Sequence, residues 1–368
     1  MTRKSVLLIV CLISPLIFTG FSQANPKCKP PKLLNCEKAN LIGTNFKGTW
    51  LTNAKFNGAK FKGVNLANAK FNGANLTNTK FNGANLSGAN LSGANLTGAT
   101  FNYAMGRGVD LKFMEMQNLK NNFFSFGFLA RTNLSSANLT GANLTGATFD
   151  GANLTGANLT GTDLKNVLLS YGILARTNLS SANLNYANLS YADLTGANLE
   201  KAVLAGANLE NTVLAGANLE KADLSHTNPY RTNFNGANLT NATFDGANLT
   251  GANLTGANLK NVWLNNGILT RTNLSSANLS YGFLQGANLT GANLTGANLT
   301  GANLTGANLT GANLENADLA GANLTGANLT GARVTKGIPS SAIGANLAGV
   351  ILTGVPSPVR ETLTEVPG

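Results

Sequence analysis

The chain has 368 residues, 43% hydrophobic and 11% charged, with a formal net charge of +11, one histidine and 15 carboxylates. That supply leaves little for acid–base or metal chemistry. The charge is also too localised for a nucleic-acid footprint: Arg3 and Lys4 carry +2, ten lysines against Glu37 give +9 between Lys27 and Lys80, and the remainder sums to zero.

Arg3-Lys4, an apolar run from Val6 to Phe18, and Ser22-Gln23-Ala24 in small-x-small form predict a secretory signal peptide over residues 1–24, cleaved after Ala24. The run is short of the roughly 20 residues that span a bilayer, so no transmembrane segment is expected after cleavage. Cys11 lies inside it and leaves with it. Residues 25–40 read as an N-terminal cap. Cys28 and Cys36 enclose a Pro-Pro turn, and in an exported chain they are expected to form a disulfide contributing about 2–3 kcal/mol. A metal site or redox pair is the competing reading, but there is no CxxC and no nearby histidine to support it.

From Leu41 to Phe101 an apolar residue recurs every fifth position. A helix turns about 500° in five residues, so these side chains would spiral around it without forming a stripe. In a flat strand an odd period would alternate them between faces. The chain must therefore turn once per quintet, and the Gly, Asn and Thr that follow each apolar centre tolerate such corners. Four corners close a square coil of 20 residues, stacked at about 4.8 Å per coil. Phe61, Phe81 and Phe101, 20 apart, should then stack inside. Lys47, Lys55, Lys60, Lys62, Lys70 and Lys80 should point outward as a collar spread over all four faces.

Residues 102–128 break the pattern with Phe113, Met114 and Met116. The spacing of Val109, Phe113, Met116 and Leu119 suits a short helix or an elbow loop, and the repeat re-emerges three residues out of phase. A long array then runs over residues 129–332. Its 41 centres from Leu129 to Leu329 are Leu or Phe except Pro229, and the residue two before each centre is Ala, Thr, Val or Gly. The block 145–184 recurs at 240–279, an offset of 95 residues or 19 quintets. That is one quintet short of five coils, so the copy is rotated a quarter turn, which favours structural expansion over a site confined to one face. The two blocks carry outward apolar residues, Leu168 with Ile173 and Trp263 with Ile268, as candidate partner contacts, and Phe123 with Phe128 resembles a third copy. Residues 333–355 read as an irregular C-terminal cap with centres at Leu347 and Leu352. Residues 356–368 read as a disordered tail.

The quintet of a small residue, Asn or Asp, Leu or Phe, and two variable positions resembles the pentapeptide-repeat family from about Leu34 to Leu352. The resemblance implies an all-β fold, a right-handed quadrilateral β-helix with four quintets per coil. It also implies that the centre (position i) and the small residue at i−2 point inward. Some members of that family are acidic cytoplasmic rods that mimic DNA. This chain departs from them in its signal peptide and basic balance, and is more similar to exported members abundant in cyanobacteria.

No carboxylate cluster, phosphate cradle or catalytic constellation is legible, and an interior filled with Leu and Phe leaves no room for a substrate. The sole histidine, His226, stands beside the lost centre at Pro229 and reads as a surface irregularity. The expectation is an exported, non-enzymatic solenoid without cofactor or metal. It would act as a scaffold or protein-binding rod in the periplasm or thylakoid lumen, or as a secreted protein. The alternative is a binding module that holds an anionic envelope component through the lysine collar. The partner is then an unidentified protein or envelope component and not nucleic acid, and self-association is compatible with the sequence.

Overall fold

A computed structural model describes residues 35–42, 45–109, 111, 129–335, 345–346 and 348–352. It divides into two compact units, Met1–Ile173 and Leu174–Gly368. Each is a stack of square coils in which the residue before each centre pairs in parallel with the residue 20 positions on. In the first unit Lys55 pairs with Asn75 and Asn133 with Asn153, and in the second Asn288 pairs with Asn308.

One quintet shows why five residues suffice. The N–H of Leu289 donates to Asn308 O (2.7 Å), that of Gly291 to Thr310 O (2.9 Å), and the N–H of Asn308 returns to Ala287 O (2.9 Å). The N–H of Ala292 closes the corner onto Leu289 O (2.9 Å). Nearly every backbone donor is consumed, so the solenoid needs no longer strand. The corner is a type II turn, whose third residue must have positive φ. Gly311 at +63° does this without strain. Tyr186, Lys201, His226 and Arg231 do it at +55° to +57°, each at a cost of about 1 kcal/mol.

The i and i−2 side chains fill the interior as expected, with Leu294, Ala292 and their equivalents buried. Where i−2 is threonine, its hydroxyl is satisfied inside: Thr212 Oγ1 donates to Leu189 O (2.8 Å) and Thr272 Oγ1 to Leu249 O (2.9 Å). The first unit is packed with phenylalanine. The expected stack is present, with Phe61 over Phe81 at 5.2 Å and 2° and Phe81 over Phe101 at 4.8 Å and 12°, while Phe71 meets Phe81 edge-on at 6.4 Å.

Cys36 is buried at a centre position, its N–H donating to Lys55 O (2.7 Å), and Asn35 pairs with Lys55 in register. Cys28, and with it the expected disulfide, lies outside the described residues. So do residues 112–128 of the expected helix or elbow, Phe123 and Phe128 included. On either side of residues 112–128 the ladder is present: Met105 pairs with Asn85, Gly108 N donates to Ala130 O (3.0 Å) and Leu111 N to Asn133 O (2.8 Å). Those last two bonds span 22 residues where the regular bond spans 19, so one coil absorbs three additional residues. At the other end Asn313–Leu314 (β1), Arg333–Val334 (β2) and Ile351–Leu352 (β3) form a parallel sheet. β1 to β2 is a 20-residue step and β2 to β3 an 18-residue step, so this coil closes two residues short.

Candidate functional site

The outward surface is built from the i−1, i+1 and corner positions. In Asn-Leu-Thr quintets these groups satisfy one another: Asn248 Oδ1 accepts from Thr250 N (3.2 Å) and from Thr250 Oγ1 (2.7 Å). Asparagines one coil apart then form ladders, with Asn198 Nδ2 donating to Asn178 Oδ1 (3.3 Å), Asn218 to Asn198 (3.2 Å) and Asn238 to Asn218 (3.0 Å). Such ladders stiffen the stack and leave few free polar groups.

The candidate lysines fall on all four faces of the first unit, but unevenly. Lys60 and Lys62 flank Phe61, and Lys60 pairs directly with Lys80, so three of the six share one face. Lys70 pairs with Trp50, which is 78% exposed, while Lys55 and Lys47 stand on the remaining two faces. Like charges directly opposite across a ladder oppose pairing, so the Lys60–Lys80 pair is not there for stability.

The apolar candidates are exposed. In the first unit Leu168 and Ile173 stand on adjacent faces, paired with Thr148 and Asn153. In the second, Trp263 stacks on Phe283 at 4.5 Å and 24°, and Ile268 stands on the next face. The aromatic pair covers part of its own surface, and Trp263 remains exposed beside it.

In the second unit the Arg333 guanidinium reaches Glu315 Oε1 on the neighbouring coil at 2.5 Å, and two further charged pairs join neighbours in sequence. Lys201 Nζ bonds Glu200 Oε1 at 2.9 Å, and this hydrogen bond, with the ammonium charge, holds the Glu200 carboxyl below its ordinary range. Glu220 likewise raises the Lys221 ammonium. Both groups are open to solvent, so these pairs add little to stability.

Within the regular coils the ladder departs at Pro229, which occupies a centre without an N–H to give to Asn248 O. The ladder there is stretched, with Leu209 N to Asn228 O, Asn228 N to Ala207 O and Asn248 N to Thr227 O all at 3.1 Å. His226, Tyr230 and Arg231 surround it, and the Arg231 guanidinium lies 5.0 Å from the Tyr230 ring centroid. Reading His226 alone misses this grouping; the 20-residue columns, applied to every outward position, find it. Among the described residues no group of three or more His, Cys, Asp or Glu could hold a metal ion, and no helix is long and apolar enough to cross a membrane.

Square coils of four five-residue turns, with filled interiors and polar ladders outside, define a quadrilateral β-helical solenoid. The model of pentapeptide repeats matches in eight copies, over residues 34–58, 59–98, 129–166, 162–200, 192–228, 232–271, 268–306 and 302–336. The chain belongs to the pentapeptide-repeat family, and its coils are those of the right-handed quadrilateral β-helix. A similar solved structure is HetL, a pentapeptide repeat protein involved in heterocyst differentiation regulation in Nostoc sp. strain PCC 7120. It is 38% identical, with a TM-score of 0.52, over 54% of this chain and 89% of that one. Rfr23 from Cyanothece 51142 is 34% identical over 33% of this chain and 63% of its own, with a TM-score of 0.20. A comparison with curated proteins gave no match. Proteins of this family are generally non-enzymatic repeat scaffolds or interaction proteins.

Proposed function

We propose that this chain is an exported, non-enzymatic solenoid serving as a structural scaffold or protein-binding element of the periplasm, the thylakoid lumen or the extracellular space. The observation that carries the reading is the use of side chains. Centres and i−2 positions are consumed by Leu, Phe and Ala packing, and most outward amides and hydroxyls by one another. What remains outside the lysine-rich coils is a neutral, self-satisfied surface, suited to spacing and display. Fractionation of a C-terminally tagged chain tests the export half: the mature N-terminus should be Asn25, in the non-cytoplasmic fraction. An intact Met1 terminus confined to the cytoplasm overturns it.

A second reading is favoured by the Lys60–Lys80 pair. In it, the lysine-rich coils hold an anionic envelope component such as acidic lipid headgroups, each nearby lysine contributing about 1 kcal/mol. Replacing Lys55, Lys60, Lys62, Lys70 and Lys80 with Asn, the residue common at i−1, should preserve the melting temperature. It should also abolish sedimentation with anionic vesicles at low salt. Undiminished sedimentation removes the anchoring reading, and new self-association of the variant would show that the lysines instead keep coils apart.

A further inference from the structure

Residues 185–239 lie between the two copies of the duplicated block, and the coil geometry gathers their unusual side chains. On the face of the second unit centred on Leu189, Leu209, Pro229 and Leu249, one corner column runs Tyr186, Gly206, His226, Gly246. The other runs Tyr191, Asn211, Arg231, Gly251, and the column after the centres holds Glu210 and Tyr230. The chain's sole histidine and its sole proline centre thus share one face with three tyrosines, an arginine and a carboxylate.

We infer that this face is a binding site for a neutral oligosaccharide, a chain of hexose units lying along the solenoid axis. The tyrosine geometry is the first support. A β-carbon at Gly206 would stand 2.7 Å from Cδ1 and Cε1 of Tyr186, so the ring lies flat across the glycine, and the residue is 64% exposed. Such a ring presents an apolar surface with a polar tip, suited to the C–H face of a pyranose. His226 lies over Gly246 in the same way, its Nδ1 2.7 Å from the position of a β-carbon there. Tyr186 and His226 are two coils apart, about 10 Å, the reach of a disaccharide.

The polar groups point to the same class. Guanidinium, carboxylate, imidazole and carboxamide are planar groups that can engage two neighbouring hydroxyls at once. Arg231 is held by Tyr230, and Glu210 Oε1 by Asn211 Nδ2 at 3.3 Å, so both are oriented before a ligand arrives. Arg231 and Glu210 cancel in charge, which matches a neutral ligand and penalises a polyanion. Pro229 marks the same face, since with no N–H at this centre Asn248 O lacks its usual backbone donor.

Titration calorimetry of the mature chain with cellohexaose and maltohexaose, beside hexagalacturonate, tests this. At least one neutral hexaose should bind. The double variant Tyr230→Thr/Arg231→Asn and the single variant Tyr186→Asn introduce residues ordinary at those positions, and should weaken binding at least tenfold with an unchanged melting curve. Tyr281 lies across Gly301 in the same way but on a corner without His226, Arg231 and Glu210, so Tyr281→Asn should bind as the parent does. A parent that binds neither neutral hexaose overturns the inference. So does binding undiminished in the Tyr186 and Tyr230/Arg231 variants, or a preference for hexagalacturonate that vanishes at high salt.

Discussion

Removing the 20 residues Asn288–Ala307 is expected to leave a folded, cooperative protein melting within a few degrees of the parent, whereas removing only Asn293–Thr295 should unravel the array beyond the cut. The longer deletion excises one coil and joins Ala287 to Asn308, which already follow the same inward alternation. Each coil in such a stack interacts only with its neighbours, so stability falls by about one coil's share. The shorter deletion puts Ala297 in the place of Leu294 and moves Leu299 to a corner, and the error repeats in each later quintet to Leu329. A buried Leu replaced by Ala costs about 2–5 kcal/mol, and several such losses together exceed the stability of a typical domain. The natural chain absorbs three additional residues in the coil between Leu111 and Leu134, and closes two short only at β3. A coil can lengthen by three residues and keep its ladder, whereas three residues lost from within the array shift every later centre. A five-residue deletion, Asn293–Ala297, is the informative middle case: it rotates the outer columns and spares the core, so it should resemble the 20-residue deletion. Circular dichroism melts of the three proteins decide the matter, and equal melting temperatures for the three- and 20-residue deletions would contradict the square-coil account.

The fold was legible because its determinants lie inside one quintet and repeat. A period of five excludes helix and flat strand, glycine and asparagine mark the corners, and a 20-residue coil places Phe61, Phe81 and Phe101 in one stack, as found. The surface was less legible because its meaning lies in columns that combine three positions per quintet. Spread over four faces, the six lysines read as a collar, and only the columns show that Lys62 at i+1 joins Lys60 and Lys80 on one of them. His226 reads as an isolated irregularity until the corner column sets it two coils from Tyr186 and across the face from Arg231. The mutual satisfaction of Asn and Thr side chains was not legible either. It depends on rotamers that bring Thr250 Oγ1 within 2.7 Å of Asn248 Oδ1, and nothing in the order Asn-Leu-Thr distinguishes this from a solvated surface.

Phe81→Ala should be among the most damaging single substitutions in the first unit, at about 3–5 kcal/mol. Its ring is fully buried between Phe61 and Phe101 and meets Phe71 edge-on, so truncation opens a void lined by three aromatic rings. The surrounding backbone cannot collapse into that void, because each coil is fixed by bonds such as Phe81 N to Thr100 O (2.7 Å) and Phe61 N to Lys80 O (2.7 Å). Part of the cost is also the stacking itself, worth about 0.5–1.5 kcal/mol per aromatic pair beyond area burial. Phe81→Leu separates the contributions: leucine is the commonest centre elsewhere, leaves a smaller void, and should cost less than half as much. Because coils interact only with their neighbours, the loss should appear first as exchange of amides in coils adjoining residue 81. The Asn-Leu-Thr coils of the second unit should keep their protection. Hydrogen exchange resolved by segment reads both halves of this expectation, and uniform loss of protection over both units at once would show that the solenoid unfolds as one cooperative body.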